Sequence, residues 1–94
     1  MVAVAHINLH PEMEEEYQRK GRPLGITRGE YRVWHLLSHG YTNATIAQIT
    51  CMQLKRVENY INSVYYHLHV AGDKQLNPRV QATLKFWDIN GESR

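Results

Sequence analysis

The stretch of residues 54 to 69 constrains the fold most, because its apolar side chains recur at helical spacing over four turns. Val57, Ile61, Val64 and Leu68 form one stripe, which predicts an amphipathic helix with one buried side. The opposite side mixes cations, amides, an acid and an aromatic ring, in Lys55, Arg56, Glu58, Asn59, Asn62 and Tyr66. An ordinary solvated helix face explains this set. A helix that contacts a polar ligand explains it equally well.

The chemistry of that polar side fits one ligand in particular. Asn can form two hydrogen bonds with the edge of adenine, Glu can accept one from cytosine, and Lys or Arg can bind phosphate or guanine. These are the residue types that read DNA in the major groove. If this helix reads DNA, the segments around it should hold it in a DNA-binding arrangement.

Two shorter helices are predicted before it. The sequence from Thr27 to Glu30 has the pattern of a capping box, so a helix is expected from Arg28 to about Ser38, and Gly40 is expected to end it. Its buried side is expected to contain Val33, Trp34, Leu36 and Leu37.

The next predicted helix is short and runs from Asn43 to about Ile49, with Thr42 as its N-cap. A tight turn at residues 50–52 then leads into the long helix. Ala47 is small enough to let the long helix cross close over the short one. Two helices joined by such a turn, the second rich in base-competent side chains, are typical of a helix-turn-helix.

The N-terminal part of the chain differs in charge from the rest. Residues 1–20 have a balance of −2, whereas the remainder has a balance of +4, within a total of +2. Residues 10–21 predict a short helix that starts near Pro11 and stops at Gly21. This helix either packs on the body or acts as an arm, and residues 22–25 form a linker.

A last helix is predicted from Pro78 to about Asp88, with Asn77 as its cap, and Gly72 is expected to end the long helix before it. The last helix has two apolar sets, of which one closes the core. The set taken to remain exposed, and so to form a dimer interface, comprises Ala82, Phe86 and Ile89. The alternative is that this helix is buried on most sides.

Length and composition limit the class of protein. A chain of 94 residues holds one small core, and no apolar run is long enough for a membrane span, so a cytoplasmic protein without a membrane partner is expected. Cys51 is the only cysteine and is expected to be a small buried hydrophobe. His35 and His39 share a metal-binding spacing, but no third ligand follows. Neither a metal site nor a cofactor is predicted, and no catalytic pattern indicates an enzyme.

Residues 26–47 resemble the opening of the LuxR-type (GerE-like) helix-turn-helix domain. That family begins with Leu-Thr-x-x-Glu, has Val and Leu residues before a Gly, and continues with a polar pair, an Asn and an Ile-Ala. Val57, Asn59, Ile61 and Leu68 match its recognition helix, and Arg79 to Ala82 resemble the start of its fourth helix, which commonly mediates dimerisation. Thr45, Thr50, Gln53, Arg56 and Glu58 depart from the family pattern, and the loss of Ser at position 53 removes a good N-cap.

The resemblance implies an all-α fold: a four-helix helix-turn-helix domain over residues 26–90, preceded by an N-terminal helical arm and linker at residues 1–25. It implies a small dimeric regulator of transcription that binds double-stranded DNA. Glu58, Asn59 and Asn62 would face base edges. The residues expected near the DNA backbone are Thr27, Thr42, Asn43, Lys55, Arg56 and Tyr66.

Two other hypotheses stay open. Glu58 and the small net charge permit a protein-interaction module that keeps the helix-turn-helix skeleton and binds RNA polymerase or another regulator with little or no DNA binding. A domain like region four of a sigma factor has a similar helix-turn-helix. The segment from Arg79 to Ala82 argues against that third hypothesis.

Overall fold

The computed structural model describes residues 11–21, 24–70 and 76–90, and its regular structure there is all-α. Five helices are present in this part of the chain, with no strand. They are α1 (Pro11–Arg19), α2 (Arg28–Ser38), α3 (Asn43–Thr50), α4 (Leu54–Leu68) and α5 (Pro78–Asn90).

Helix α2 lies at the centre of the molecule, and its two ends form as predicted. Thr27 Oγ1 accepts from the Glu30 amide at 3.2 Å, and the Thr27 amide donates to Glu30 Oε1 at 2.9 Å, which completes the capping box. Gly40 follows the helix with φ +92°, a conformation that glycine adopts at little cost. Thr42 and Asn77 are the N-caps of α3 and α5, because their side-chain oxygens accept hydrogen bonds from the backbone amides of Thr45 and Arg79.

The core is built around α2, which packs against every other helix. The predicted buried sides of α2 and α4 are confirmed, since each predicted residue is at most 5% exposed. Tyr31 lies among aromatic rings from α1, α2 and α5, and its burial raises the pKa of the phenol to about 12. Helix α1 is part of this core because Tyr17 stacks on Tyr31 with ring centroids 4.4 Å apart. Of the two alternatives for the N-terminal helix, packing on the body is therefore the one observed.

The prediction for α5 exchanged its two apolar sets. Ala82 and Phe86 are fully buried, so they cannot form an exposed dimer interface, and of the predicted set only Ile89 is exposed. Phe86 packs edge-on to Trp34 at 5.0 Å between centroids, and the Trp34 Nε1 hydrogen donates to the Ala82 carbonyl at 2.8 Å. The most exposed apolar side chains of α5 are instead Val80 and Leu84, at 52% and 62% exposure.

Two connections also differ from prediction. Cys51 is exposed, not buried, and it takes the left-handed conformation with φ 57° at the end of α3. Helix α4 ends at Leu68, where His69 adopts a similar left-handed cap with φ 58°. Gly72, which was expected to end this helix, lies outside the described residues, as do Arg22 and Pro23 of the predicted linker.

Candidate nucleic-acid interface

The exposed face of α4 brings together most of the side chains that the sequence assigned to a ligand. Lys55, Asn59, Asn62 and Tyr66 are all exposed and recur three or four residues apart, opposite the buried stripe. They span about 17 Å along the helix axis, at 1.5 Å per residue. Tyr66 is 74% exposed, so most of its ring is accessible from solvent. We call these four residues the α4 polar face.

Glu58 and Arg56 lie on opposite flanks of the α4 polar face. Glu58 is half-buried and therefore less accessible than Asn59 or Asn62. The Arg56 guanidinium donates to the Tyr60 hydroxyl at 3.1 Å and lies 5.5 Å from the centre of that ring. This contact holds the cation at the edge of the face, where a phosphate group could replace the weak cation–π contact.

Tyr60 also connects α4 to the start of α2. A Cβ atom added at Gly29 would lie 3.2 to 3.4 Å from the Tyr60 ring, so the two helices approach closely at this point. A larger residue at position 29 would push the ring, and Arg56 with it, away from α2. No local pattern predicts this contact, because the two residues are far apart in the chain.

A polar cluster fixes α4 to α2 one turn further along. Ser63 Oγ donates to Glu30 Oε2 at 2.6 Å, and His67 Nε2 lies 3.7 Å from Glu30 Oε1. Burial of the carboxyl acts to raise its pKa, but the hydrogen bonds from Ser63 and Thr27, together with His67, lower the pKa of Glu30 overall. The charged carboxylate is therefore the stable form of this cluster, which sets the rotation of α4 on the core.

The short helix α3 is joined to α4 by residues 51–53, and it packs against both α2 and α4. Thr42 and Asn43, both predicted to contact the DNA backbone, have structural partners of their own. Thr42 caps α3, and Asn43 Oδ1 accepts from Arg79 Nη1 at 2.8 Å. Arg79 also donates to the Tyr41 carbonyl at 2.6 Å, so it ties the start of α5 to the start of α3.

Arg79 influences one further group. Burial raises the pKa of the Tyr65 phenol, although the charge of Arg79 and a hydrogen bond from it act in the opposite direction.

Gln53, at the start of α4, makes no side-chain cap, as expected from the missing serine. Thr27 is exposed, but its hydroxyl serves the capping box. Of the residues predicted to contact DNA, those on α4 therefore lie on or beside the α4 polar face, whereas Thr27, Thr42 and Asn43 have partners within the fold.

No protein-family model, no curated protein and no solved structure matches the chain. Within residues 11–21, 24–70 and 76–90, no group of three or more His, Cys, Asp or Glu side chains is placed to hold a metal ion. None of the five helices has both the length and the apolar content that crossing a bilayer requires. The α4 polar face is therefore the feature of this surface that best indicates a function.

Proposed function

We propose that the protein is a sequence-specific DNA-binding regulator of transcription that inserts α4 into the major groove. The observation that supports this most is the α4 polar face, in which two amides lie between a cation and an exposed ring. Asn59 and Asn62 are the readers, since amides pair with adenine edges, and Lys55 and Tyr66 contact the backbone at either end. Helices α3 and α4 then act as the helix-turn-helix, in the manner of the LuxR-type domain that residues 26–47 resemble.

The half-buried position of Glu58 refines this proposal. A carboxylate in the groove repels phosphate and can accept only from the exocyclic amine of cytosine or adenine. Because Glu58 lies at the flank of α4, it contributes less to reading than Asn59 or Asn62. We therefore assign specificity to the two asparagines and treat Glu58 as a secondary contact.

Paired substitutions test the proposal. Asn59→Ala is expected to reduce discrimination between a selected site and random duplex by about 1 to 3 kcal/mol, because one bidentate base contact is lost. Lys55→Ala is expected to weaken both duplexes equally and to reduce the dependence of binding on salt by about one phosphate contact. Fluorescence anisotropy titrations at several salt concentrations measure both effects. Equal losses on both duplexes for Asn59→Ala would remove that residue as a reader.

The proposal includes a homodimer, formed through the exposed apolar side chains of α5 rather than through Ala82 and Phe86. Val80 and Leu84 lie one turn apart and are more than half exposed, beside a shallow groove of about 220 Å³ whose lining includes Leu37 and Thr83. Exposed neighbouring apolar residues on a small domain mark an interaction surface. Two copies related by a two-fold axis would present two α4 helices to successive half-sites.

Leu84→Glu is expected to shift the dimer to monomer without loss of fold, because the side chain is already in solvent in the single chain. Sedimentation equilibrium measures the mass, and circular dichroism verifies the helical content. Gln48→Glu, an equal charge change at an exposed position of α3, is the control. A monomeric wild-type protein that still binds DNA would remove the dimer and leave the DNA-binding proposal standing.

A protein-interaction module is the alternative function, and the same exposed α5 residues favour it. If the wild-type chain binds no duplex at low salt, Val80 and Leu84 become the candidate contact with another regulator or with RNA polymerase. The Leu84→Glu variant would then lose the partner while the α4 substitutions would have no effect.

A further inference from the structure

A second group of cations lies beside the α4 polar face, on the exposed ridge of α2. Arg28 and Arg32 are one turn apart on this helix, with side chains 63% and 48% exposed. Gly29 of the same turn faces Tyr60 of α4, whereas Tyr31 stacks on Tyr17 of α1. The two arginines therefore lie between α1 and α4, next to the flank where Arg56 is held.

A carboxylate from α1 lies between these arginines. Glu14 Oε2 is 3.6 Å from Arg28 Nε, and Glu14 Oε1 is 3.6 Å from Arg32 Nη2. The Glu14 side chain is only 14% exposed. The Glu14 carboxylate of α1 thus lies against two arginines of α2. The two arginines have the arrangement of an anion-binding site, and Glu14 occupies it.

Glu14 satisfies these arginines poorly. Charge-assisted hydrogen bonds between arginine and carboxylate are about 2.7 to 2.9 Å long, so contacts of 3.6 Å provide charge attraction without hydrogen bonds. Within the described residues, Glu14 Oε2 is buried and accepts no hydrogen bond. A mostly buried carboxylate that gains only long ion pairs gives little net stabilisation.

A phosphodiester group fits the two arginines better than Glu14 does. Its non-bridging oxygens can accept bidentate hydrogen bonds from a guanidinium, and arginine is the side chain best shaped to donate them. Arg56, held against Tyr60, extends the same cationic surface to the edge of the α4 polar face. A duplex that meets the α4 polar face would bring its backbone along this flank.

We infer that Arg28 and Arg32 form a binding site for the phosphodiester backbone of DNA, and that Glu14 occupies this site as an internal competing anion in the free protein. The inference rests on the proposed function, since it names a second contact of the same interface. It assigns to α1 a role in setting DNA affinity: the α1 carboxylate must leave the arginines before the backbone binds them.

The test removes the charge of Glu14 and compares it with an equal change elsewhere on α1. Glu14→Gln is nearly isosteric. Glu16→Gln is the matched control, because Glu16 is also on α1 but pairs with Arg19 and Lys20. Both variants raise the net charge by one, so any difference between them comes from the site. The probe is a fluorescently labelled random-sequence duplex, titrated by anisotropy from about 50 to 300 mM KCl.

Glu14→Gln is expected to bind this duplex about 3- to 10-fold more tightly than Glu16→Gln at low salt. The slope of log affinity against log salt should be similar for the two variants, because the arginines contact the same phosphates once Glu14 has left them. Arg28→Gln with Arg32→Gln should weaken binding and reduce the slope. In the variant that carries both arginine substitutions, Glu14→Gln should have no further effect, because the guanidinium groups that pair with Glu14 are absent.

Each outcome decides between the two proposals. Equal affinities for Glu14→Gln and Glu16→Gln, with clear binding by the wild-type protein, would overturn the inference and leave the proposed function intact. No duplex binding by any variant at 50 mM salt would overturn both. Thermal melts by circular dichroism accompany each titration. If Glu14→Gln failed to fold, the variant with Arg28→Gln and Arg32→Gln would decide. Should that variant fold and keep the wild-type slope of log affinity against log salt, the inference would be overturned.

Discussion

Two carboxylates, Glu30 of α2 itself and Glu14 of α1, differ in how they bind their partners. Glu30 stabilises the fold through short hydrogen bonds, whereas Glu14 pairs weakly with two arginines that a ligand could contact. Glu30 accepts hydrogen bonds of 2.9 Å and 2.6 Å, from the Thr27 amide and the Ser63 hydroxyl, and is 8% exposed. Glu14 makes only ion pairs of 3.6 Å, to two arginines that remain largely in solvent. The first carboxylate has few lone pairs left for another partner. The second can be replaced.

The contrast has a physical origin in the two helices. Glu30 belongs to α2 itself, so the capping box fixes its side chain before any tertiary contact forms, and Ser63 of α4 then docks on a preformed acceptor. Glu14 reaches α2 from another helix and meets flexible, exposed guanidinium groups. A strong hydrogen-bonded acceptor therefore anchors α4, whereas a weak ion pair covers the neighbouring cations.

The largest expected effect is on stability. Glu30→Ala is expected to lower the free energy of unfolding by about 2 to 4 kcal/mol, since it removes the carboxylate that accepts from the Thr27 amide in the capping box and leaves the Ser63 hydroxyl without its acceptor. Glu14→Ala is the comparison, with an expected change of at most about 1 kcal/mol, as for a partly exposed ion pair. Urea unfolding followed by circular dichroism measures both. Similar losses for the two variants would break the distinction.

A smaller effect is expected in acid. Because the pKa of Glu30 in the folded protein lies below its ordinary value of 4.5, the carboxylate contributes stability that is complete above that pH. This contribution is lost as the pH falls through the lower folded pKa. The difference in unfolding free energy between wild type and Glu30→Gln should therefore stay constant from neutral pH down to the ordinary value of 4.5 and shrink at lower pH. A difference that stayed constant below pH 4.5 would contradict the assignment of Glu30 as a charged anchor.

Local patterns in the sequence were sufficient for much of the fold. The capping box at Thr27, the caps at Thr42 and Asn77, and the stripe from Val57 to Leu68 each depend on residues within a few positions of one another, and all are confirmed. Four side chains of the candidate site follow directly from that stripe, since the face opposite a buried stripe must be exposed.

Features that depend on distant contacts were not predictable. Helix α5 has apolar residues on two sides, and nothing local shows that Phe86, rather than Leu84, meets the aromatic rings of α2. The ion pairs of Glu14 with Arg28 and Arg32, and the bond between Ser63 and Glu30, join different helices. Arg28 and Arg32 have the one-turn spacing of a common cationic surface, which is the only local sign of the site inferred above.

We propose that the α4 polar face reads duplex DNA, and the sharpest test is selection of bound sites from a random duplex library at moderate salt. The bound fraction is recovered through several rounds and sequenced, with the Asn59→Ala and Asn62→Ala double variant selected in parallel. We expect enrichment of an inverted repeat by the wild-type protein, because a two-fold dimer would place two α4 helices on matching half-sites. The double variant should lose that enrichment while it retains salt-dependent binding. No enriched sequence from the wild-type protein, with only weak binding that salt abolishes, would contradict the claim.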